Sequence, residues 1–482
     1  MLWVKKMLAT LLSACLLFSL SACTEPVDST GTGVSSNGTV PASSTPERFV
    51  EYPSSGQTPD FGSTSTVSQI VSMIGSSAGK TGTSSSGAAS GNTASVSSAG
   101  NQSPAGNAYQ PVAYGETKAI WISYLELATL LKGKTQAEFE KNMGTVYQNV
   151  KDLGLNTVIV QVRPYSDALY PSEYYPWSAY ASGTVGQKPS FDPLKILVDL
   201  AHQKGLSFHA WINPLRGMTE AETAKVPARY QTRKWHDERS KSDRLVYHGT
   251  RWFLNPAYSE VRKLIADGAA EIVSNYNVDG IHIDDYFYPT TDASFDQISY
   301  DLYGKGKTRS QFRLDNCSLM VKEMYQAVKK VNSKVLFGVS PQGNVDNNYS
   351  SQFADVKLWC AQKGYLDYIM PQVYFGFENE GQPYTKTVQQ WNSMVKADGV
   401  QLMIGLACHK IGMENDTFAG SGSAEWSKST DMLKRQVMEA RKLSCYKGIA
   451  LFDYKSLFDV NSGSILNKDC VKKEVENLKG LL

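Results

Sequence analysis

From residue 118 onward, short apolar segments alternate with longer amphipathic ones, and the alternation repeats eight times. The apolar segments have the length of buried strands, and the amphipathic ones have the spacing of one-sided helices. Eight consecutive strand–helix pairs predict an α/β fold, the (β/α)8 barrel of the TIM type. The predicted strands span 119–123, 157–162, 207–212, 280–284, 335–339, 368–373, 402–406 and 448–452. The predicted helices span 136–153, 193–204, 259–276, 311–331, 351–363, 385–396, 429–443 and 468–478.

The loops at the two ends of this predicted barrel differ in length. Long insertions follow the second, third and fourth strands, at 164–191, 214–255 and 286–310, whereas the turns from helix back to strand are short. Barrel enzymes build their active sites from the loops at the carboxyl ends of the strands. We therefore expect a functional site at this mouth of the barrel.

The amino-terminal segment has the pattern of a targeting signal. Lys5 and Lys6 precede an apolar stretch at 7–22, and the tetrapeptide LSAC that ends at Cys23 resembles a bacterial lipobox. A second LSAC ends at Cys15, but cleavage there would leave a very short apolar region. Polar sequence follows Cys23, which favours it as the lipidated residue. The alternatives are a plain secretory signal and an uncleaved anchor helix.

The chain therefore divides into three predicted parts. Residues 1–22 are a lipoprotein signal peptide, and residues 23–115, dominated by Ser, Gly and Thr, are a disordered linker that cannot bury a core. Residues 116–482 are the barrel with its long insertions. This organisation predicts a protein tethered to the outer face of the cell membrane through a lipid on Cys23.

The composition narrows the class of partner. The 48 Lys and Arg residues nearly balance 46 Asp and Glu residues, and a net charge of +2 argues against a nucleic-acid partner. Aromatic residues make up 11% of the chain, which suits a carbohydrate cleft as well as a core. The cysteines have no C-x-x-C spacing, so a structural zinc site is not expected. We predict no cofactor.

Two adjacent acids, Asp284 and Asp285, end the fourth predicted strand and precede a cluster of aromatic residues. Like charges side by side at the end of a buried strand repel one another, and partial burial adds to the cost. A carboxyl pair supplies acid/base chemistry for sugars, and flat rings stack on their faces. We predict that the pair is catalytic. The alternative is a helix cap or a solvated loop acid.

Other predicted strands also end in polar or aromatic residues. The predicted substrate-binding residues are Arg163, His209, Trp211, Asn213, His282, Tyr286, Gln372 and Tyr374. Each signal is weak alone: Arg163 could simply neutralise the acids, and a lone His on a strand is often a core residue. Their convergence on one barrel mouth favours a site.

The alternative is a catalytic metal held by His209, His282 and the Asp pair. The first predicted strand lacks the His-x-His of barrel metallohydrolases, and the chain has no H-E-x-x-H motif. We predict no metal.

Several segments resemble, in order, the glycosyl-hydrolase-like family 10 of bacterial envelope proteins. They are NTVIVQVRP (156–164), FHAWINP (208–214), NP (255–256), VDGIHIDDY (278–286), FGVSP (337–341) and LDYIMPQVY (366–374). The resemblance covers most of residues 116–460. It implies a barrel lipoprotein or secreted protein that acts on glycan, with peptidoglycan strands as the substrate.

Two mechanisms remain open at this stage. In the first, Asp284 is the nucleophile of a double displacement, as the similarity of 280–284 to the α-amylase-type strand suggests. In the second, the adjacent acids resemble the Asp-Asp pair of O-GlcNAc hydrolases, in which one Asp steers the sugar's N-acetyl group and the other is the acid/base.

Consecutive strand residues point to opposite faces, so both acids reach one pocket only if the strand ends or kinks between them. Glu378 and Asp346 are the spare acids. A non-catalytic glycan-binding lipoprotein is the rival class of function.

Overall fold

A computed structural model describes residues 109–458 and 465–482. Eight parallel strands in this part of the chain form a closed barrel, which confirms the predicted fold class. The strands are β1 (Thr117–Ile122), β2 (Thr157–Arg163), β3 (Ser207–Ile212), β4 (Leu245–His248), β5 (Arg251–Leu254), β6 (Gly280–Ile283), β7 (Leu336–Val339), β8 (Tyr368–Ile369), β9 (Gln401–Ala407) and β10 (Tyr446–Phe452). The barrel runs β1-β2-β3-β6-β7-β8-β9-β10 and closes on β1, while β4 and β5 form a separate antiparallel hairpin.

Helices cover the outside of the barrel and populate its long loops. They are α1 (Tyr124–Leu131), α2 (Gln136–Asp152), α3 (Ala179–Ser182), α4 (Pro193–Gln203), α5 (Glu220–Thr223), α6 (Gln231–Asp237), α7 (Ser259–Asn275), α8 (Gln297–Tyr303), α9 (Arg309–Val331), α10 (Val345–Ser350), α11 (Val356–Ala361), α12 (Tyr384–Met394), α13 (Glu425–Lys428), α14 (Met432–Ala440), α15 (Tyr454–Phe458) and α16 (Lys468–Lys479). Within the described ranges, none of these helices combines the length and apolarity needed to span a membrane.

Three local differences separate the predicted elements from the observed ones. The predicted strand 368–373 pairs in β8 only over Tyr368–Ile369, because Pro371 has no N–H to donate to a ladder. The predicted helix 351–363 is shorter, since α11 begins at Val356 after the separate helix α10. The β4–β5 hairpin inside the loop after β3 was not predicted. The predicted signal segment, Cys23 and the linker up to residue 108 lie outside the described residues.

Side chains alternate between two cores. The inner core fills the barrel itself and consists of Ala119, Trp121, Ile159, Trp211, Tyr368, Met370, Met403 and Ala450. The other faces of the strands pack against the helices in a much larger outer core. This alternation is the period of two expected for barrel strands. It decides which strand residues point into the barrel and which do not.

A chain of hydrogen bonds crosses the inner core. The Tyr368 hydroxyl lies 2.9 Å from Nδ1 of both His209 and His282. Trp121 Nε1 donates to His282 Nε2 at 3.1 Å, and an indole can only donate. His282 therefore carries its proton on Nδ1 and donates to Tyr368, whose hydroxyl donates to His209. Burial lowers the pKa of both histidines, which are neutral in this chain.

Residues 109–115, the last part of the predicted linker, lie against the amino-terminal end of the barrel. Asp279, immediately before β6, is buried and accepts hydrogen bonds from the Tyr109 hydroxyl at 2.7 Å and the Val112 amide at 2.6 Å. Its other oxygen accepts from the Phe208 amide and contacts His202 Nε2. These bonds fix the start of the described chain at the end of the barrel opposite the mouth.

Candidate active site

The two acids lie just beyond β6, at the carboxyl end of the barrel. Because β6 ends at Ile283, the strand alternation no longer governs Asp284 and Asp285, and they turn to different neighbours. Both Asp284 oxygens lie 2.7 Å from Asn213 Nδ2, and Oδ2 also accepts from Trp211 Nε1 at 3.0 Å. Asp285 Oδ1 accepts from Gln372 Nε2 at 3.1 Å. Because the strand ends before the pair, both acids can face the same site.

A second row of amides sets the orientation of Asn213. Gln161 Nε2 donates to Asn213 Oδ1 at 2.6 Å, which leaves the Asn213 amino group facing Asp284. Gln161 Oε1 in turn accepts from the Tyr124 backbone amide at 3.2 Å. The end of β2 therefore positions a donor for the acid at the end of β6.

The electrostatics of the pair differ from those of isolated acids. Burial and the neighbouring Asp285 raise the pKa of Asp284, which is only 4% exposed, while Arg216 and Asn213 oppose the rise. Burial also raises the pKa of Asp285, whose hydrogen bond to Gln372 acts in the opposite direction. The raised pKa of each acid means that each keeps its proton to a higher pH than an ordinary Asp does.

Arg216 is the cation whose charge opposes the rise in the pKa of both acids, and it was not predicted from the sequence. Its Cζ lies 3.9 Å from the centre of the Tyr286 ring and 4.7 Å from that of Tyr165. Tyr286 is 39% exposed, so this stack forms part of the open surface of the mouth. The available signal was its place in the loop directly after the third strand, where barrel enzymes hold functional residues.

The structure brings five of the eight predicted binding residues to the mouth. Trp211, Asn213 and Gln372 contact the acids directly, and Tyr286 stacks on Arg216. Tyr374 lies over Phe452 at the end of β10, with ring centres 5.6 Å apart. Trp211 is almost fully buried, so its indole contacts Asp284 from the interior side of the barrel.

Arg163 is placed differently from the prediction. A register shift between Gln161 and Arg163 interrupts the alternation of β2, so Arg163 pairs beside the outward-facing Ile212. Its guanidinium is 1% exposed and stacks at 4.3 Å on the Tyr175 ring in the helix layer. The prediction that Arg163 lies at the mouth is wrong.

His209 and His282 are also misplaced by the prediction. Both point inward, but they lie in the inner core below Trp211 and Asp284, where their rings bond to Tyr368. Their burial contradicts a direct contact with substrate, and they act as interior packing residues. The spare acids Asp346 and Glu378 are exposed, and among the described residues neither is hydrogen-bonded to the Asp pair.

The sequence of this chain matches the family model described as glycosyl hydrolase-like 10 over residues 116–420. The chain belongs to the glycosyl hydrolase-like 10 family. It is 33% identical over 390 residues to glycosyl hydrolase YngK of Bacillus subtilis, covering 76% of this chain and 73% of the relative. It is 32% identical over 314 residues to glycosyl hydrolase DigH of Escherichia coli, covering 59% and 70% respectively.

Among solved structures, the chain is similar to the glycoside hydrolase domain of PgaB (BpsB) from Bordetella bronchiseptica. That similarity has a TM-score of 0.45 and 14% identity, and it covers 72% of this chain and 97% of that domain. The family members named here are called glycosyl hydrolases, so a glycosidase-type function is supported by membership.

Proposed function

We propose that this protein is a glycoside hydrolase that cleaves N-acetylated cell-wall glycan, with peptidoglycan strands as its substrate. The observation that carries the proposal is the pair of adjacent carboxyls held in unequal environments at one barrel mouth. Asp284 is buried with both oxygens accepting N–H bonds from Trp211 and Asn213, whereas Asp285 is half-buried and bonds to Gln372 instead. Two carboxyls in different environments suit two different roles.

Substrate assistance fits these environments. The N-acetyl carbonyl oxygen of the sugar attacks its own anomeric carbon, and the bond to the leaving sugar breaks. Asp285 donates its proton to the leaving oxygen, and the Asp284 carboxylate accepts a hydrogen bond from the acetamido N–H, which keeps its proton. Water then attacks the anomeric carbon and loses a proton to Asp285, while the bond between the anomeric carbon and the acetyl oxygen breaks and restores the N-acetyl group.

Double displacement with Asp284 as nucleophile is the second candidate mechanism. It requires a carboxylate oxygen to leave its donors and bond to the anomeric carbon. Asp284 accepts hydrogen bonds from Trp211 and Asn213, and these bonds would have to rearrange at the moment of attack. The substrate-assisted route leaves these bonds in place, which is why we favour it.

Defined glycans test the proposal. The purified protein is incubated with strands that keep or lack their N-acetyl groups, and the products are identified by mass. We expect cleavage of the acetylated strands only, and inhibition by a thiazoline mimic of the intermediate. Binding without any cleavage would support the rival class, a glycan-binding lipoprotein. Cleavage that the thiazoline does not inhibit would return Asp284 to the nucleophile role.

The pH profile of the reaction is expected to be bell-shaped. Activity requires one proton on the pair, so it is lost at low pH when both acids are protonated and at high pH when neither is. An ordinary Asp titrates at about pH 4. Because the pKa of each carboxyl is raised, the alkaline limb of the activity profile lies above that pH. Measuring kcat/KM against pH checks this. An alkaline limb near pH 4 would contradict it.

The Gln161→Leu variant tests the row of amides behind Asp284. Without the Gln161 bond, Asn213 is free to turn its carbonyl toward the acid. Losing a positioned donor to a charged group costs about 1.5–3 kcal/mol, which corresponds to a fall in kcat of about tenfold or more. The alkaline limb should also move upward, since ionised Asp284 loses support. Gln148→Leu, on the exposed face of α2, is the matched control and should change neither quantity.

We also propose that the protein is anchored by a lipid on Cys23 at the extracytoplasmic face of the membrane. The lipobox pattern and the polar segment after it support this location. A Cys23→Ala variant should lose lipid labelling and leave the membrane fraction. Continued labelling of this variant would contradict the assignment.

A further inference from the structure

The loop after β3 folds back onto the β4–β5 hairpin. The Leu254 amide donates to the Leu215 carbonyl at 2.8 Å, and the Gly217 amide donates to the Trp252 carbonyl at 2.7 Å. A Cβ on Gly217 would lie 2.7 Å from the Trp252 carbonyl oxygen, so only glycine allows this close approach. The segment 215–218 therefore runs antiparallel beside β5, with a single bridge between Arg216 and Phe253, and this pairing holds Arg216 in place at the mouth.

Two arginines share one tyrosine ring at this point. Arg216 Cζ lies 4.7 Å from the centre of the Tyr165 ring and Arg251 Cζ lies 4.1 Å from it. The two guanidinium carbons are thus no further apart than 8.8 Å, the sum of those distances. Two like charges at this separation repel each other and raise the cost of holding the site together.

Neither arginine is neutralised by a carboxylate partner. Arg216 Nη2 donates to the Tyr165 hydroxyl at 3.3 Å, and Arg251 Nη1 donates to the Gly217 carbonyl at 3.3 Å. Within residues 109–458 and 465–482, no carboxylate oxygen lies within 4.0 Å of either guanidinium. Asp284 and Asp285 feel the charge of Arg216 but do not form an ion pair with it.

We propose that Arg216 and Arg251 form an anion subsite that binds a carboxylate carried by the glycan. This inference rests on the proposed function, since it uses the same barrel mouth. A guanidinium presents a planar set of donors that matches a carboxylate. Stacking on tyrosine leaves the N–H groups other than Arg216 Nη2 and Arg251 Nη1 available to bind. If Arg216 served only to balance the Asp pair, a direct ion pair would be the better arrangement, and Arg251 would have no part in it.

A cell-wall glycan offers this carboxylate from two sources. One is an acidic ether substituent on the sugar ring itself, and the other is the carboxyl group of a peptide attached to that substituent. Both present the same chemistry to Arg216. They differ in their distance from the sugar ring, so the test below includes a ligand for each.

Binding is measured by calorimetry in the Asp285→Asn background, which keeps the ligands intact. The probes are a neutral N-acetylglucosamine oligomer, an oligomer of equal length with lactyl ether carboxylates on alternate sugars, and the latter carrying stem peptides. We expect Arg216→Gln to weaken binding of the lactyl oligomer by about tenfold or more, because a hydrogen-bonded charge pair is lost. Binding of the neutral oligomer should change less than about twofold.

Two further variants keep the test decisive. Arg216→Lys retains the charge without the planar donors and should lose less affinity than Arg216→Gln. Arg251→Gln should weaken binding of the lactyl oligomer only. Arg244→Gln is the matched control, because Arg244 also stacks on a tyrosine, with Cζ 4.6 Å from the Tyr258 ring centre, but pairs with Glu260. It should bind every oligomer as the parent does.

The outcomes separate the subsite from the proposed function. If Arg216→Gln weakened binding of the neutral and lactyl oligomers equally, the anion subsite would be overturned, but the proposal that the protein binds glycan would stand. Failure of every oligomer to bind the parent protein would overturn both. A charge-dependent loss with the lactyl oligomer supports the sugar's own substituent as the source. A charge-dependent loss only with the peptide-bearing oligomer supports the peptide carboxyl.

Discussion

Replacing Asp285 with Asn is expected to lower kcat by about 10²–10⁴-fold, the usual cost of losing a positioned acid/base. The side chain keeps its shape and can still contact Gln372, but it has no proton to give the leaving oxygen. Asp284→Asn should cost a similar factor, because an amide brings its own donors against the N–H groups of Trp211 and Asn213. Steady-state kinetics on acetylated glycan measures both effects, and binding of substrate should survive.

Leaving-group chemistry distinguishes the two variants. A nitrophenyl glycoside needs little help from an acid, so Asp285→Asn should recover much of its rate on such a substrate, whereas Asp284→Asn should not. Asp346→Asn is the control, since this acid is exposed in the first turn of α10 and should turn over normally. Near-normal kcat in both Asp284→Asn and Asp285→Asn would refute the site.

Gly338→Ala is expected to destabilise the barrel strongly. A Cβ on Gly338 would lie 1.9 Å from Cζ of the Tyr368 ring, and a shift of the ring would disrupt its bonds to His209 and His282. Overpacking costs about 1–3 kcal/mol, and breaking the buried hydrogen bonds costs about 1–3 kcal/mol more. Denaturant unfolding should therefore show a loss of several kcal/mol in the free energy of unfolding.

A second glycine provides the comparison. Gly144 lies within α2, and no described atom lies within 4 Å of a Cβ placed there. Gly144→Ala should stabilise the helix by about 0.5–1 kcal/mol, because alanine loses less backbone entropy. If Gly338→Ala unfolded at the same denaturant concentration as the parent, the account of the inner core would be wrong.

The sequence predicted the barrel well because its strands carry a clear pattern. Apolar segments of strand length separated by amphipathic helices leave few other folds, and the eight predicted strands correspond to the eight strands of the barrel. The β4–β5 hairpin escaped prediction because its residues alternate too briefly to stand out inside a long loop. Its importance comes only from tertiary contact with the segment 215–218.

The candidate site was predicted in part, for an equally physical reason. The adjacent acids and the donors Asn213 and Gln372 follow directly from the strand ends. Arg163 did not follow, because one register shift reverses the face of every later residue in a strand. The sequence pattern also does not show how deep a side chain lies inside the barrel. His209 and Trp211 both point inward, but only Trp211 contacts Asp284.

The bonds from Asp279 to Tyr109 and Val112 determine how this barrel can be held. A pull on the chain from the amino-terminal side of Tyr109 is resisted by these bonds and by the bond from Asn332 Nδ2 to the Tyr109 carbonyl, at the end opposite Asp284 and Asp285. A protein immobilised on a bead through Tyr109 would keep the mouth of the barrel directed away from the support. Force along the chain would act on the amino-terminal ends of the barrel strands before it reached the loops at the mouth.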